Sequence, residues 1–287
     1  MKNMFAVVIT LLALGTIYVI FNDNTSLFAT ESQSGDRMKV TDHINSIDLQ
    51  IDSSSTTIMP TEQNEVKAEL DGKGTLRLLK KGDTIEVTVS RKWYEWISFT
   101  HKSNVTVYIP KDYHNNMCID MGAGNLDFSG ESKSIKIKLD ELVIDMSSGN
   151  VELQNIDANV FRHDGSSGRL MIDTLSTRDG KIDISSGNVK LSHYEGPLNG
   201  ELSSGRLEVG IDTLNGDIVL DLSSGKVELD LPDDADFTLN GETSSGSVSS
   251  DFSLKNQKMD SGDLSGVHGS GKYNIDVSVS SGSVRIY

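Results

Sequence analysis

Cysteine, proline, aromatic rings and clustered positive charge are all scarce in this chain, and each scarcity removes a class of protein. Cys118 is the only cysteine among 287 residues, so an internal disulfide and a CxxC metal or redox site are both excluded. Its run, Met117-Cys118-Ile119, reads as a strand, and the thiol is expected there as a small core hydrophobe. Aromatics make up 6% of the residues against 26 glycines and 4 prolines, which suits a narrow aliphatic core better than a thick globular one. The formal net charge is −16, and no basic cluster interrupts it. That balance argues against nucleic acid as a partner and against direct docking on anionic lipid headgroups.

What is present is a repeat. The stretch Ile182-Asp183-Ile184-Ser185-Ser186-Gly187-Asn188-Val189-Lys190-Leu191 has near-copies whose glycines stand at 124, 149, 168, 187, 205, 225, 246 and 282. The first seven are spaced by 25, 19, 19, 18, 20 and 21 residues, and the last gap of 36 fits two turns with a degenerate copy near Gly262. A period near 20 holds short strands and turns but no helix, the mark of a solenoid. Two residues after the glycine stand Leu126, Val151, Leu170, Val189, Leu207, Val227, Val248 and Val284. Four after it the column is again apolar except at Ser250, and the residues between are almost all polar. Period-two alternation means strands with one buried face. The glycine is expected to supply a positive φ at the corner, and the serines to bond turn backbone or stack on their counterparts in the next coil. The fold class is therefore all-β, a β-solenoid of ~20-residue coils.

Four segments follow from this reading. Residues 1–21 hold an uncharged apolar run, Met4 to Phe21, with Lys2 before it and Asp23 after it. As a helix it would reach roughly 27 Å, close to the ~30 Å of a hydrocarbon core. An uncleaved single-pass signal-anchor is expected, with the N-terminus cytoplasmic and the body extracytoplasmic. Its rival is a signal peptide cleaved near Ala29–Glu31. Residues 22–37 read as a polar linker, 38–115 as an N-terminal cap with irregular first coils, and 116–287 as the regular solenoid. Both tryptophans fall in Arg91–Phe99. Trp93, Tyr94 and Trp96 form either an aromatic contact tip or a hairpin packed over the solenoid's open end.

Several patterns resemble chemistry. Gly266 to Lys272 matches the G-x-x-x-x-G-K of a phosphate loop, but Tyr273 replaces the Ser/Thr and no helix follows. Ser223-Ser224-Gly225-Lys226 satisfies S-x-x-K, yet its equivalents put Asn188, Arg206 or Ser247 in place of the lysine. The six histidines show no HxxxH-type spacing, and His163, in a repeat column, is expected on the surface or in a turn. Less accidental is the column four residues before the glycine: Asp120, Asp145, Asp164, Asp183, Glu201, Asp221, Glu242 and Ser278. Alternation points it outward as a ladder of like charge. It is either a solvated face that limits edge-to-edge aggregation or a stripe for cations or a cationic partner. No catalytic, cofactor or metal residues are assigned.

The repeats, the Leu231-Pro232 turn and the closing Ser280-Ser281-Gly282-Ser283-Val284-Arg285-Ile286 resemble the bacterial putative-adhesin domain family over about residues 40–287. That resemblance implies a β-helical fold without established catalytic residues, and a place in the envelope of a Gram-positive bacterium. The expected function is a non-enzymatic binding, structural or accessory module of the envelope, linked to its antibiotic stress response. It would contact membrane lipid through its helix and an envelope protein or glycan through its body. The alternative is a β-helical carbohydrate-active enzyme such as a polysaccharide lyase. Such an enzyme needs a base poised over gathered carboxylates, whereas Arg169, Arg206 and Lys226 lie in one regular turn column.

Overall fold

Apolar residues at every second position, broken by Ser-Ser-Gly, can bury one edge only if successive windings stack. The computed structural model describes residues 33–90, 103–133 and 135–287, and among them every regular element is a strand. The N-terminal part carries β1 (Gln33–Gly35), β2 (Arg37–Lys39), β3 (Ser46–Thr61), β4 (Glu65–Asp71), β5 (Thr75–Lys81), β6 (Thr84–Ser90) and β7 (Asn104–Pro110). The middle carries β8 (Asn116–Ser129), β9 (Ile137–Met146), β10 (Asn150–Gly165), β11 (Arg169–Ile184), β12 (Asn188–Glu195), β13 (Leu198–Leu202), β14 (Arg206–Ile211), β15 (Ile218–Leu222) and β16 (Lys226–Asp230). The rest are β17 (Phe237–Thr243), β18 (Ser247–Ser250), β19 (Lys255–Asp260), β20 (Asp263–His268), β21 (Tyr273–Val279) and β22 (Ser283–Ile286). Met4 to Phe21 and Trp93, Tyr94 and Trp96 lie outside the described residues. Among the described residues no helix is long and apolar enough to cross a membrane.

The middle is a parallel stack. β10 lies on β11 from Asn150↔Arg169 to Gly165↔Ile184, a full winding in one register. The windings of β10 and β11 turn three times. Asn155 (φ 58°) and Thr174 (φ 69°) occupy the left-handed region at one corner, and the ladder skips Asn159 at a second. Ser-Ser-Gly makes the third, where the ladder continues: Ser166 N–H donates to Met146 O at 2.9 Å and Ser185 N–H to Gly165 O at 2.8 Å. Serine hydroxyls at this corner bond carbonyls of the preceding coil, as Ser167 Oγ does to Ser147 O at 2.9 Å. The serines also stack on their counterparts as expected, through the backbone: Ser167 N–H donates to Ser147 O at 3.1 Å and Ser186 N–H to Ser166 O at 3.0 Å.

The corner glycine is needed mainly for closeness. Gly124, Gly149 and Gly168 have positive φ (107°, 107° and 102°), while Gly187, Gly205, Gly225, Gly246 and Gly282 do not. A Cβ on Gly205 would stand 2.6 Å from Gly187 O, and one on Gly225 would stand 2.8 Å from Gly205 O. The coils approach too tightly at this corner for any side chain, whatever the backbone angle.

Inside, Leu126, Val151, Leu170, Val189, Leu207, Val227, Val284 and Val248 form one file in consecutive register, each at most 6% exposed. The order of the last two corrects the expected winding. β22 pairs with β16 on one side and β18 on the other, and β21 likewise lies between β15 and β17. The later segment is inserted between two earlier coils. The 36-residue gap therefore holds no degenerate coil near Gly262. It holds β19 and β20, an antiparallel hairpin that covers β17.

The N-terminal end is built by the same device. β3 lies between β8 and the pair β6 and β7, though it precedes both in the chain. β5 then covers β6 and β4 covers β7, both antiparallel, with β1 paired to β5 and β2 to β4. Among the described residues the first strand starts at Gln33, inside the stretch read as a linker. Antiparallel covers occupy edges that would otherwise template further pairing.

Candidate binding faces

The acidic column lies in one ladder. Asp120, Asp145, Asp164, Asp183, Glu201 and Asp221 are partners in register across six successive coils, with Gln50 before them. Ser278, the one uncharged copy, sits between Asp221 and Glu242. The inward neighbours are Met121, Met146, Gly165, Ile184, Leu202 and Leu222. Strands ~4.8 Å apart place neighbouring carboxylates where each pair repels by roughly 0.9 kcal/mol in water. Partial burial raises Asp120, and burial together with Asp164 and Asp120 raises Asp145. Asp183 is raised by burial and by Asp164 and Glu201, against the Lys181 ammonium. Lys181 also pairs with Glu201 at 3.1 Å, and Arg162 bridges Glu141 at 3.4 Å and Asp179 at 3.2 Å. The face is acidic, partly countered along one side. Among the described residues no three His, Cys, Asp or Glu side chains gather to hold a metal ion.

Around the Ser-Ser-Gly corner the next face carries alternating charge. Lys190 pairs with Glu208 (3.6 Å), Arg206 with Glu208 (2.7 Å) and Glu228 (2.5 Å), and Lys226 with Glu228 (2.8 Å). Lys226 of the apparent S-x-x-K is thus an ion-pair partner in this chain of charges. Arg169, Asn188, Lys190 and Arg206 border an open depression of about 260 Å³. A larger one, about 650 Å³, lies over Lys39–Asp42 and Gln63–Glu65.

Two residues fall on the opposite side of the sheet from where the sequence reading put them. His163 is buried at 3% exposure in the file between Ile144 and Ile182, its Nδ1 3.1 Å from Ile144 O. Burial holds its pKa down at about 4, so the ring is neutral. Gly165 leaves the room, since a Cβ there would stand 2.7 Å from His163 Nε2. Cys118 is half-buried in an outward column between Asp48 and Val143, because its neighbours Met117 and Ile119 take the core. Burial, with Asp48 and other nearby carboxylates, pushes its thiol up to about 12, which keeps it from reacting as a thiolate.

The phosphate-loop match binds an anion of its own. Ser270, Gly271 and Lys272 N–H groups converge on Asp236 Oδ1 at 2.7, 2.6 and 3.0 Å, and Ser270 Oγ donates to Oδ2 at 2.6 Å. These bonds, led by the Ser270 hydroxyl, hold the Asp236 pKa down at about 2. Gly269 (φ 68°) and Gly271 (φ 80°) give the loop its curl. The sequence reading missed this site, as it missed His193, whose Nδ1 lies 2.9 Å from Asp212 and Nε2 3.7 Å from Asp173. Nothing in the sequence singles out Asp236, which shares the turn Asp233-Asp234-Ala235-Asp236 with two other carboxylates.

Stacked parallel coils around a single aliphatic interior define a β-solenoid with repeated outward columns. Residues 44–287 match the family model described as Toastrack DUF4097, and the chain belongs to that family. A crystal structure described as a "putative cell adhesion protein" from Clostridium sporogenes ATCC 15579 is similar over 89% of this chain and 99% of that chain, at 13% identity and a TM-score of 0.26. A score of that size carries no argument about the two backbones, so the assignment rests on the family match. Comparison with curated proteins gives no match.

Proposed function

We propose that the chain is a non-catalytic module of the bacterial cell envelope, with Met4 to Phe21 as its membrane anchor and its solenoid on the extracytoplasmic side. The observation that carries this reading is the surface: outward side chains recur at one fixed step along the stack, as Asp120 to Asp221 do. Such a surface suits an extended partner lying along the coils, an envelope protein or glycan, better than a small substrate. The layout of anchor, linker and acidic solenoid also resembles LiaG, a membrane-anchored protein encoded with a Gram-positive envelope-stress system. An accessory role in antibiotic stress is the finer form of the proposal.

Crosslinking in intact cells, with and without a wall-active antibiotic, tests it. A defined envelope partner whose yield changes with the drug is expected, and a body recovered only with cytoplasmic proteins would overturn the placement. Mass spectrometry of the N-terminus separates an anchor from a cleaved peptide starting near Ala29–Glu31. Calorimetry at low salt with Ca²⁺ or a cationic peptide decides whether the acidic stripe binds cations. Product formation from pectin-like or wall glycans would replace the non-catalytic reading with the enzyme.

A further inference from the structure

The insertion of β21 and β22 poses a problem of order. β17 and β18 precede them in the chain, yet the slot between that coil and the one made by β15 and β16 must be open when they enter. Every coil carries the same in–out code, so β17 and β18 could stack directly on β15 and β16, Gly246 over Gly225, with the later strands left out. The filled slot is bonded on both sides. Ser280, Ser281, Ser283 and Tyr287 N–H groups donate to Leu222, Ser223, Gly225 and Leu229 O, and Ser244, Ser245, Ser247 and Asp251 N–H groups donate to Val279, Ser280, Gly282 and Ile286 O, all at 2.8–3.1 Å. Only the loop at 269–272, tied to Asp236, connects the inserted strands to the hairpin before them.

We propose that Tyr273–Ile286 is an exchangeable strand pair and that its slot accepts the same segment from a second copy of the chain. The slot dictates the occupant. It requires apolar side chains where Ile275, Val277, Val279, Val284 and Ile286 stand, each at most 3% exposed. Between them it requires a corner residue without Cβ, because one on Gly282 would overlap Gly225 O. That pattern is the chain's own repeat. Exchange remakes every slot contact and changes only the hinge, the condition under which swapping costs least. The proposal is independent of the membrane and envelope reading.

Glu228 and Arg285 are outward partners in register, so cysteines there report who fills the slot. In the full chain with Cys118→Ser, the double variant Glu228→Cys/Arg285→Cys is expected to lock within one copy. Mixing differently tagged copies, one with Glu228→Cys and one with Arg285→Cys, through mild denaturant at high concentration is expected to give a disulfide-linked heterodimer. Asp236→Asn, which loosens the hinge, should raise its rate. Native mass spectrometry of tagged copies without added cysteines gives the same answer independently of disulfide geometry. A mixture no richer in heterodimer than the out-of-register pair Glu152→Cys and Arg285→Cys, with no mixed-tag dimer by mass, would overturn the proposal.

Discussion

In the middle of this solenoid, from β9 to β16, coils stack in the order the chain makes them; at both ends they do not. The two regions use identical local rules. Gly225 meets Gly205 in the middle, and Gly282 meets Gly225 at the inserted coil, through the same close approach of corner to carbonyl. What differs is what decides the neighbour. In the middle, a short corner leaves the next coil no other place. At the ends antiparallel covers hold the order, helped at the C-terminal end by carboxylates on backbone amides: Asp236 on the loop at 269–272, Asp217 on Asn274 N–H at 2.8 Å and Asp263 on Thr243 N–H at 2.6 Å. Repetition builds the stack, and its exceptions fix the order of the end coils.

The strongest test sets one corner against another. Gly205→Ser in the middle and Gly282→Ser at the inserted coil should each cost about 3 kcal/mol, because a Cβ must displace backbone on the facing coil. Urea denaturation reads both. A Gly282 variant much milder than the Gly205 one would show that the inserted coil is stacked loosely, and the comparison would fail.

Acid should strike the middle first. The His163 pKa is about 4 in the folded chain against the usual 6.5, so between those values the unfolded chain takes a proton that the folded one refuses. Stability from the neutral ring is complete above pH 6.5 and is lost as pH falls toward 4, a loss of about 2–3 kcal/mol. His163→Ile should remove that slope. Hydrogen exchange at pH 4 should open β9 to β11 ahead of the end coils, and opening at the ends first would contradict the assignment.

At the C-terminal end, Asp236→Asn should untie the loop at 269–272. Faster exchange of the Ser270, Gly271 and Lys272 amides is expected at neutral pH, with the middle coils unchanged. Because the Asp236 pKa is held down at about 2, the wild-type contact should survive acidification until near that value. Loss of protection already at pH 4 would place the hinge under other control.

Much of this was legible in the sequence. The period exposed the interior file of Val151, Val189 and Val227, and with it the outward acidic column, because both are fixed by the same glycine. Alternation also held the answer for Cys118 and His163. Met117 and Ile119 pointing inward force Cys118 outward, and Asp164 pointing outward forces His163 inward. Residue type alone, a thiol suited to a core and an imidazole to a surface, points the other way at both positions. The insertion at the C-terminal end was not legible, since Gly246 and Gly282 satisfy the same contacts in either order. Nor was the Asp236 contact, which joins residues more than thirty positions apart.

The smallest effect concerns the acidic ladder in the middle, where the end coils supply the control. The Asp145 pKa is raised above the usual 3.8 by burial and by Asp164 and Asp120, so the folded chain keeps its proton after the unfolded chain has released it. Stability from this group is therefore full below pH 3.8 and declines as pH rises through the raised value. At pH 7 the ionised side chain is a liability. Asp145→Asn should stabilise the protein by about 0.5–1 kcal/mol at low salt, after allowance for screening of a half-exposed group. The gain should shrink with added salt and vanish in acid. Glu242→Asn, whose register partner is the uncharged Ser278, should give a smaller gain under the same conditions. Equal gains at both positions would mean that burial alone, and not the file of like charges, sets the cost, and the outward column would lose its meaning as a ladder.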